Sequence, residues 1–259
     1  MSYILISGAS AGLGTCFARQ LAAEKKDLIL VARRGDRLEA LASELSEKFG
    51  IAVKIIAADL SELSVVSGLA KGLKAEGTKL SGLINNAGYG TMGDFKEGDL
   101  SAQVGMIELN VTSLIAMTHA LLPLFEDHGE RFIINVGSVA SFFPLPSFAV
   151  YAASKAAVLS FSDALGSELA EDGITVSALC PGPTSTEFMD VAGIPEKATR
   201  NINFMTADEV VRQSLAERDQ PIVITGKSNR RQVLMGKFMP KSFIRKQAMK
   251  RRRSRMRYK

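Results

Sequence analysis

The chain has 259 residues, of which 46% are hydrophobic and 23% are charged. These proportions are typical of a soluble globular protein and exclude a fibrous or disordered one, and the length allows one large α/β domain. The two cysteines, Cys16 and Cys180, are far apart and fit no metal-binding spacing, so we expect reduced thiols, no metal and a cytoplasmic location. The net charge of +5 is uneven, because residues 237–259 hold eleven Lys or Arg and no acid, which leaves −6 for the remainder.

Strand-like apolar runs alternate along the chain with segments of helical periodicity. The helical spacing is clear at Leu38, Leu41 and Leu45, which recur among charged side chains. The strand-like runs are short and apolar on both faces, as in a parallel sheet that helices cover on both sides. We therefore predict a single α/β domain with a Rossmann-like, doubly wound, seven-stranded parallel sheet. The predicted strands are residues 3–7, 28–32, 53–57, 82–84, 132–136, 175–179 and 222–224.

The predicted domain covers residues 1–236 and includes the substrate site, and residues 237–259 form a basic C-terminal tail. No signal peptide is expected before the first strand, because no basic segment precedes it. The longest apolar stretch, residues 104–125, contains Glu108, Asn110 and His119. This polarity predicts a buried helix rather than a membrane span.

A glycine-rich turn, SGASAGLG at residues 7–14, follows the first strand and opens the first helix. Glycine removes the Cβ and permits φ > 0, so a pyrophosphate can approach the free N–H groups and the positive end of the helix dipole. The alternative is a tight turn of small residues without a ligand. We interpret the turn as a nucleotide-phosphate site formed by Gly8, Ser10, Gly12, Leu13 and Gly14.

Arginines follow the second strand, where enzymes for NAD commonly carry Asp or Glu. They are Arg33, Arg34 and Arg37. A carboxylate there would repel a ribose 2′-phosphate, whereas a guanidinium binds it through charge-assisted hydrogen bonds. We therefore predict NADP(H) as the cofactor, with Arg33 and Arg34 at the phosphate. The alternative, a solvated helix start, is weaker because first turns favour acids over bases.

Tyr151 and Lys155 are four residues apart, which on a helix places them on one face, one turn apart. We expect the ammonium group and a positively charged nicotinamide to lower the pKa of the phenol, so that it exchanges a proton with a carbonyl oxygen near neutral pH. Ser138, at the carboxyl end of the fifth strand, could hold the same oxygen. A Tyr–Lys pair alone is more often a surface feature, but its combination with Ser138 and the glycine turn favours an active site.

Together these motifs resemble the short-chain dehydrogenase/reductase family, of the NADP-preferring type. The resemblance covers most of the chain and departs mildly at Ser7, where threonine is usual, and at Ala11, where serine is often found. It implies an enzyme that transfers a hydride between a nicotinamide and a carbonyl or alcohol. The matching residues are Gly8-x-x-x-Gly12-x-Gly14, Asp59, Asn85-Asn86-Ala87-Gly88, Asn110, Ser138, Tyr151-x-x-x-Lys155 and Pro181-Gly182.

The resemblance also implies a role for each catalytic residue. Tyr151 would be the general acid in reduction, Ser138 would position the carbonyl, and Lys155 would hold the nicotinamide ribose and lower the pKa of Tyr151. Asn110 would anchor a water that links Lys155 to solvent. Besides Tyr151 and Lys155, the implied cofactor contacts are Asp59 and Leu60 at the adenine, Asn86, Ala87 and Gly88 beside its ribose, and Pro181, Gly182, Thr184 and Thr186 over the nicotinamide and phosphates.

Aromatic residues in loops near the predicted catalytic edge suggest an apolar substrate pocket lined by Phe142, Phe148 and Phe188. We therefore expect a hydrophobic ketone or aldehyde as the substrate. The equally weighted alternative assigns about half of these aromatic residues to the core or to a dimer contact.

The basic tail has three candidate roles: contact with an anionic membrane surface, a solvated end, or, with less support, unspecific contact with nucleic acid. The resemblance implies a homodimer or homotetramer and a small-molecule substrate. The rival function is an NADP(H)-binding sensor or scaffold that the tail brings to a membrane. An intact set of Ser138, Tyr151, Lys155 and Asn110 disfavours it, since a sensor needs no proton-transfer group.

Overall fold

The computed structural model describes residues 2–195 and 202–256. Its main sheet has seven strands, all parallel, in the order β3-β2-β1-β4-β5-β6-β9. A separate two-stranded sheet pairs β7 with β8. The strands are β1 (Ser2–Ser7), β2 (Asp27–Ala32), β3 (Val53–Ala57), β4 (Lys79–Asn85), β5 (Phe132–Val136), β6 (Thr175–Cys180), β7 (Thr184–Ser185), β8 (Met205–Thr206) and β9 (Ile222–Ile224).

Helices connect these strands and cover both faces of the sheet. A π-helical segment, Glu108–Ser113, lies between α4 and α5, and 3-10 turns form at Leu122–Leu124 and Val139–Phe142. The helices are α1 (Gly12–Ala23), α2 (Gly35–Phe49), α3 (Leu63–Ala75), α4 (Leu100–Ile107), α5 (Leu114–Leu121), α6 (Ala149–Glu168), α7 (Phe188–Val191), α8 (Ala207–Ala216), α9 (Lys227–Phe238) and α10 (Lys241–Met256).

The alternation of side chains along each central strand explains why both faces of the sheet are apolar. Ile4 and Ile6 of β1 join a core cluster with residues of α1, α2 and α8, while Leu5 joins a second cluster with residues of α3, α5 and α6. Successive side chains of a strand point to opposite faces, so a run buried on both sides must be apolar throughout. The predicted seven-stranded, doubly wound fold is confirmed, and β4 begins at Lys79, three residues before its predicted start.

The order of the strands reverses between β1 and its neighbours β2 and β4. In doubly wound sheets ligands bind at the carboxyl ends of the strands on either side of such a switch point. Here the glycine turn follows β1 and Asn86 follows β4. The sheet thus brings two of the predicted motifs to one crevice.

The helical run Leu100–Leu124 is long and apolar enough to span a membrane by length and composition alone. Its inner side is in the core, with Met117 and Leu121 almost fully buried. Its outer side leaves Val104 47% exposed and Ile115 40% exposed. The prediction of a buried helix therefore holds for one side only, and the other presents apolar side chains to the surface.

The predicted boundary after residue 236 falls within α9, two residues before that helix ends at Phe238. Val233 of α9 is buried, and a Cβ built on Gly236 would lie 2.3 Å from the ring of Phe143. The C-terminal half of α9 therefore packs against the turn that follows Ser138. The basic residues beyond it continue in α10.

Candidate active site

The glycine turn needs small residues chiefly because protein atoms lie against it. Gly8 and Gly12 have φ of +67° and +56°. A Cβ on Gly14 would lie 2.2 Å from the carbonyl oxygen of Gly8, and a Cβ on Gly8 would lie 2.8 Å from Nδ2 of Asn86. The N-cap residue of α1 is Ala11, which makes no side-chain cap hydrogen bond. The first N–H groups of α1 therefore suit an anion such as a pyrophosphate.

Ser7 and Asn86 hold the ends of β1 and β4 together beneath this turn. The Ser7 hydroxyl accepts hydrogen bonds from the backbone N–H groups of Asn86 at 3.0 Å and Ala87 at 3.1 Å. Nδ2 of Asn86 donates to the carbonyl oxygens of Ser7 at 2.9 Å and Gly8 at 3.1 Å. Serine thus supplies the hydroxyl expected of a threonine, and Asn86 shapes the turn through its own side chain.

The two arginines predicted to bind the phosphate, Arg33 and Arg34, have different surroundings in the structure. Arg34 donates from Nε to the hydroxyl of Ser10 at 3.2 Å, which places its guanidinium beside the glycine turn. Arg33 is 74% exposed and lies 3.7 Å from the carboxylate of Asp59. Arg34 is therefore the better placed of the two for a phosphate on the adenosine ribose.

Glu187 contacts two of the three arginines after β2, Arg34 and Arg37, and the sequence did not predict this contact. Its carboxylate accepts from Arg34 at 3.0 Å and from Arg37 at 2.7 Å. These hydrogen bonds, that of Arg37 first, lower the pKa of Glu187 below its usual value. No spacing signal identifies Glu187, because its partners lie 153 and 150 residues earlier in the chain.

Asp59, a predicted adenine contact, follows β3 at the carboxyl edge of the sheet. Its carboxylate accepts from the backbone N–H of Ser61 at 3.0 Å and from the Ser61 hydroxyl at 2.8 Å. These bonds, with a smaller contribution from Arg33, lower the pKa of Asp59. The neighbouring Leu60 is buried in the core.

Tyr151 and Lys155 lie one turn apart on α6, with Ser138 opposite them at the end of β5. Nζ of Lys155 donates to the carbonyl oxygen of Val136 at 2.7 Å and lies 5.9 Å from the centre of the Tyr151 ring. The Ser138 hydroxyl caps the following 3-10 turn by accepting from the N–H of Ala140 at 3.1 Å. The structure thus brings together the three residues that the sequence predicts for proton transfer.

The expected lowering of the Tyr151 pKa includes the effect of a charged nicotinamide and stays a prediction, and the surrounding protein groups act in the opposite direction. Burial raises the pKa of Tyr151 to about 12, and a hydrogen bond with Ser138 opposes this rise only in part. Burial also lowers the pKa of Lys155 to about 8. Desolvation is the largest cause of both shifts, because it disfavours the charged form of each group. At neutral pH the phenol therefore carries its proton, and most Lys155 side chains are charged.

Asn110 lies in the π-helical segment, which interrupts the regular pattern between α4 and α5. Its amide oxygen accepts from the N–H of Tyr89 at 3.0 Å, and its Nδ2 donates to the carbonyl of Tyr89 at 2.9 Å and to the hydroxyl of Ser154 at 3.0 Å. A Cβ on Gly88 would lie 2.7 Å from Oδ1 of Asn110. Asn110 thereby fixes the loop after β4 against α6, and its predicted link to a water stays a prediction.

Two of the three predicted pocket residues pack beside Tyr151, the predicted catalytic tyrosine. The rings of Phe188 and Phe148 lie 5.4 Å and 6.0 Å from that of Tyr151. Phe142 instead lies 6.5 Å from Phe143, the residue that packs on α9. The immediate cover of Tyr151 is therefore aromatic, and Phe142 stands one layer further out.

The segment after β6 returns past the glycine turn. The carbonyl of Pro181 accepts from the N–H of Val139 at 2.9 Å, and Thr184 donates to the carbonyl of Gly182 at 3.0 Å. A Cβ on Gly12 would lie 3.3 Å from the side chain of Thr186. The predicted nicotinamide segment thus spans from Ser138 to the start of α1.

Two other kinds of site were considered for residues 2–195 and 202–256, a metal centre and a surface groove. No cluster of three or more His, Cys, Asp or Glu suited to a metal occurs in these residues. A groove of about 660 Å³ lies between α3 and α5, lined by residues such as Val66, Ile115 and His119. Because none of the predicted catalytic residues lines it, we do not assign it to the chemistry.

Comparison with known proteins agrees with this geometry. The family model described as short chain dehydrogenase matches residues 2–196. The chain is 38% identical over 217 residues to a sulfoacetaldehyde reductase from Chromohalobacter salexigens, covering 81% of this chain and 85% of that protein. Its structure resembles that of a short-chain dehydrogenase from Sphingobium yanoikuyae in complex with NADPH, with a TM-score of 0.81 and 34% identity over 91% of this chain and 93% of that one.

A further similar structure, a short-chain dehydrogenase/reductase from Burkholderia phymatum, is in complex with NAD. It has a TM-score of 0.77 and 26% identity, covering 90% of this chain and 91% of that one. Similar structures thus hold either cofactor, while the relatives and the family model agree on oxidoreductase chemistry by hydride transfer. The chain is an oxidoreductase and belongs to the short-chain dehydrogenase/reductase family.

Proposed function

We propose that this enzyme reduces an apolar ketone or aldehyde with NADPH, and that Tyr151 donates the proton. The observation that carries the proposal is the position of Tyr151, which lies near Ser138, one turn from Lys155 and against two aromatic rings. A nicotinamide held beside these residues would supply the hydride. The glycine turn and the segment 181–186 would hold its dinucleotide.

In this proposal Ser138 and Tyr151 bind the substrate oxygen from the protein side. A pKa of about 12 keeps the phenol of Tyr151 protonated at neutral pH, which suits a proton donor to a developing alkoxide. The charged Lys155 stabilises the phenolate that the transfer leaves behind. Asn110 is a positioning residue that holds the loop around Tyr89.

The cofactor preference is tested by titrating the purified protein with NADPH and NADH. We expect tighter binding of NADPH, and Arg34→Ala to raise the Kd for NADPH about tenfold while changing the Kd for NADH little, because a charge-assisted phosphate contact is lost. Arg33→Ala is the matched variant and should have the smaller effect, since Arg33 faces Asp59 and solvent. Equal Kd values for the two cofactors in the unaltered protein would contradict the preference.

The apolar substrate class is tested with a series of aldehydes and ketones of increasing chain length. Each methylene buried beside Phe188 should raise kcat/KM about fourfold, in line with about 0.8 kcal/mol per buried CH₂. Phe188→Ala should flatten this dependence, because its ring lies 5.4 Å from that of Tyr151. A kcat/KM that stays constant along the series in the unaltered enzyme would overturn the apolar assignment.

Self-association and membrane contact stay predictions. The outer sides of α5 and α6, with Ile115, Ala153 and Ala157 exposed, offer a surface for a second copy of the chain. Ahead of the basic α10, Leu234 and Phe238 of α9 are exposed, which suits an anionic membrane surface. A cytoplasmic location and the rival role as a membrane-recruited sensor rest on the sequence alone.

A further inference from the structure

Glu187 occupies the guanidinium groups that the proposed cofactor would use. Arg34 reaches Ser10 at the glycine turn with Nε and Glu187 with Nη1, while Arg37 contacts the second oxygen of the same carboxylate. Two arginines on one carboxylate form the kind of site that binds a phosphate monoester. The carboxylate of Glu187 therefore stands where a 2′-phosphate would find its donors.

This ion-pair cluster can exchange with solvent anions. The side chains of Arg34, Arg37 and Glu187 are 41%, 45% and 48% exposed. Exposed pairs of this kind contribute little to stability because water and salt screen them. A phosphate monoester carries more charge and more acceptor oxygens than a carboxylate, so it can displace Glu187.

Glu187 also lies between two residues that contact the reaction centre. Thr186 borders Gly12 in the glycine turn, and Phe188 packs on the Tyr151 ring. A Cβ on Gly90 would lie 2.9 Å from the Phe188 ring, so Phe188 fills the space between Tyr151 and the loop after β4. A shift of Phe188 would therefore widen the approach to the Tyr151 ring. The position of Glu187 thus bears on access to the phenol.

We propose that Glu187 determines cofactor specificity by competing with the 2′-phosphate for Arg34 and Arg37, and that its displacement releases Phe188 from Tyr151. This inference rests on the proposed use of NADP(H). In this proposal the 2′-phosphate both contributes to cofactor binding and causes Phe188 to move. NADH, which lacks the phosphate, would leave Glu187 on the arginines and Phe188 over the phenol.

The competition is tested by calorimetric titration with adenosine 2′,5′-bisphosphate, adenosine 5′-phosphate, NADPH and NADH. Glu187→Gln removes the charge and keeps the size of the side chain, so the Kd for the two 2′-phosphorylated probes should fall about two- to fivefold, the range expected for loss of an exposed ion pair. The Kd for the other two probes should stay unchanged. Asp190→Asn is the matched control, since Asp190 lies in α7 and has no ion pair among those found in residues 2–195 and 202–256.

The release of Phe188 is tested with a fluorescent reporter. The chain has no Trp, so Phe188→Trp gives a single indole above Tyr151. We expect adenosine 2′,5′-bisphosphate to shift its emission, and adenosine 5′-phosphate not to. With Glu187→Gln added, the emission should already be shifted before the bisphosphate is present. An emission that does not respond to bound bisphosphate would overturn the coupling to Phe188.

The outcomes separate this inference from the proposed cofactor preference. If NADPH binds more tightly than NADH and Glu187→Gln leaves both Kd values unchanged, the preference holds and the competition is wrong. If the Glu187→Gln variant binds NADPH more weakly than the unaltered enzyme, the proposed competition is also wrong, because Glu187 then orients the arginines for the phosphate. If only the Glu187→Gln variant prefers NADPH, the competition holds and the preference of the unaltered enzyme fails.

Discussion

Replacing Tyr151 by Phe is expected to lower kcat about 10³-fold, within the range usual for loss of a general acid. The ring would remain between Phe148 and Phe188, so the packing that surrounds it is kept. Only the hydroxyl near Ser138 would be lost. Steady-state kinetics with a carbonyl that the unaltered enzyme reduces would measure the change, and an NADPH titration should show a Kd within about twofold of the original.

The control for this substitution is Tyr3→Phe. Tyr3 lies near the start of β1, at the opposite edge of the sheet from the glycine turn, and is largely buried. Losing its hydroxyl should leave kcat within about twofold, since it takes no part in the proposed proton transfer. A Tyr151→Phe enzyme that retains more than about a tenth of kcat would show that another group donates the proton.

Replacing Gly14 by Ala is expected to destabilise the fold by about 3 kcal/mol and to abolish measurable NADPH binding. The added methyl would lie 2.2 Å from the carbonyl oxygen of Gly8 and 2.8 Å from Nδ2 of Asn86. Neither neighbour can move without weakening hydrogen bonds, because Asn86 donates to the carbonyl oxygens of Ser7 and Gly8. Urea unfolding would measure the stability, and a fluorescence titration would measure the binding.

Gly68→Ala is the matched substitution for Gly14→Ala. Gly68 is also inside a helix, α3, but a Cβ there would have no atom within 4 Å. It should therefore stabilise the protein by about 0.5–1 kcal/mol through helix propensity and leave NADPH binding unchanged. Equal effects of the two substitutions would mean that glycine at position 14 is not required by the close approach of the turn to Gly8 and Asn86.

The fold could be predicted because its strands are apolar on both faces and each is followed by a polar or glycine-rich motif. The residue types alone indicate where β1 ends and where Tyr151 and Lys155 share a helical face. Such signals lie within a few residues of one another. They can therefore be recognised without knowing which distant segments contact one another.

The features that the sequence did not reveal depend on contacts between distant segments. Glu187 meets Arg34 and Arg37 only because the segment after β6 passes over the start of α2. The direction of the Tyr151 pKa shift follows from burial, which no spacing in the sequence indicates. The sequence also did not reveal that the outer side of the helices within Leu100–Leu124 is exposed and apolar. Composition alone does not distinguish a buried core helix from one with an apolar surface.

The most direct test of the account is the transfer of deuterium to a carbonyl substrate from NADPH in which both hydrogens at C4 of the nicotinamide are replaced by deuterium. Mass spectrometry of the product alcohol would follow the label for the unaltered enzyme and for Tyr151→Phe. We expect one deuterium per alcohol, delivered to the carbonyl carbon, and almost no product from the Tyr151→Phe variant. An alcohol formed without the label, or formed equally by both enzymes, would contradict hydride transfer with proton donation by Tyr151.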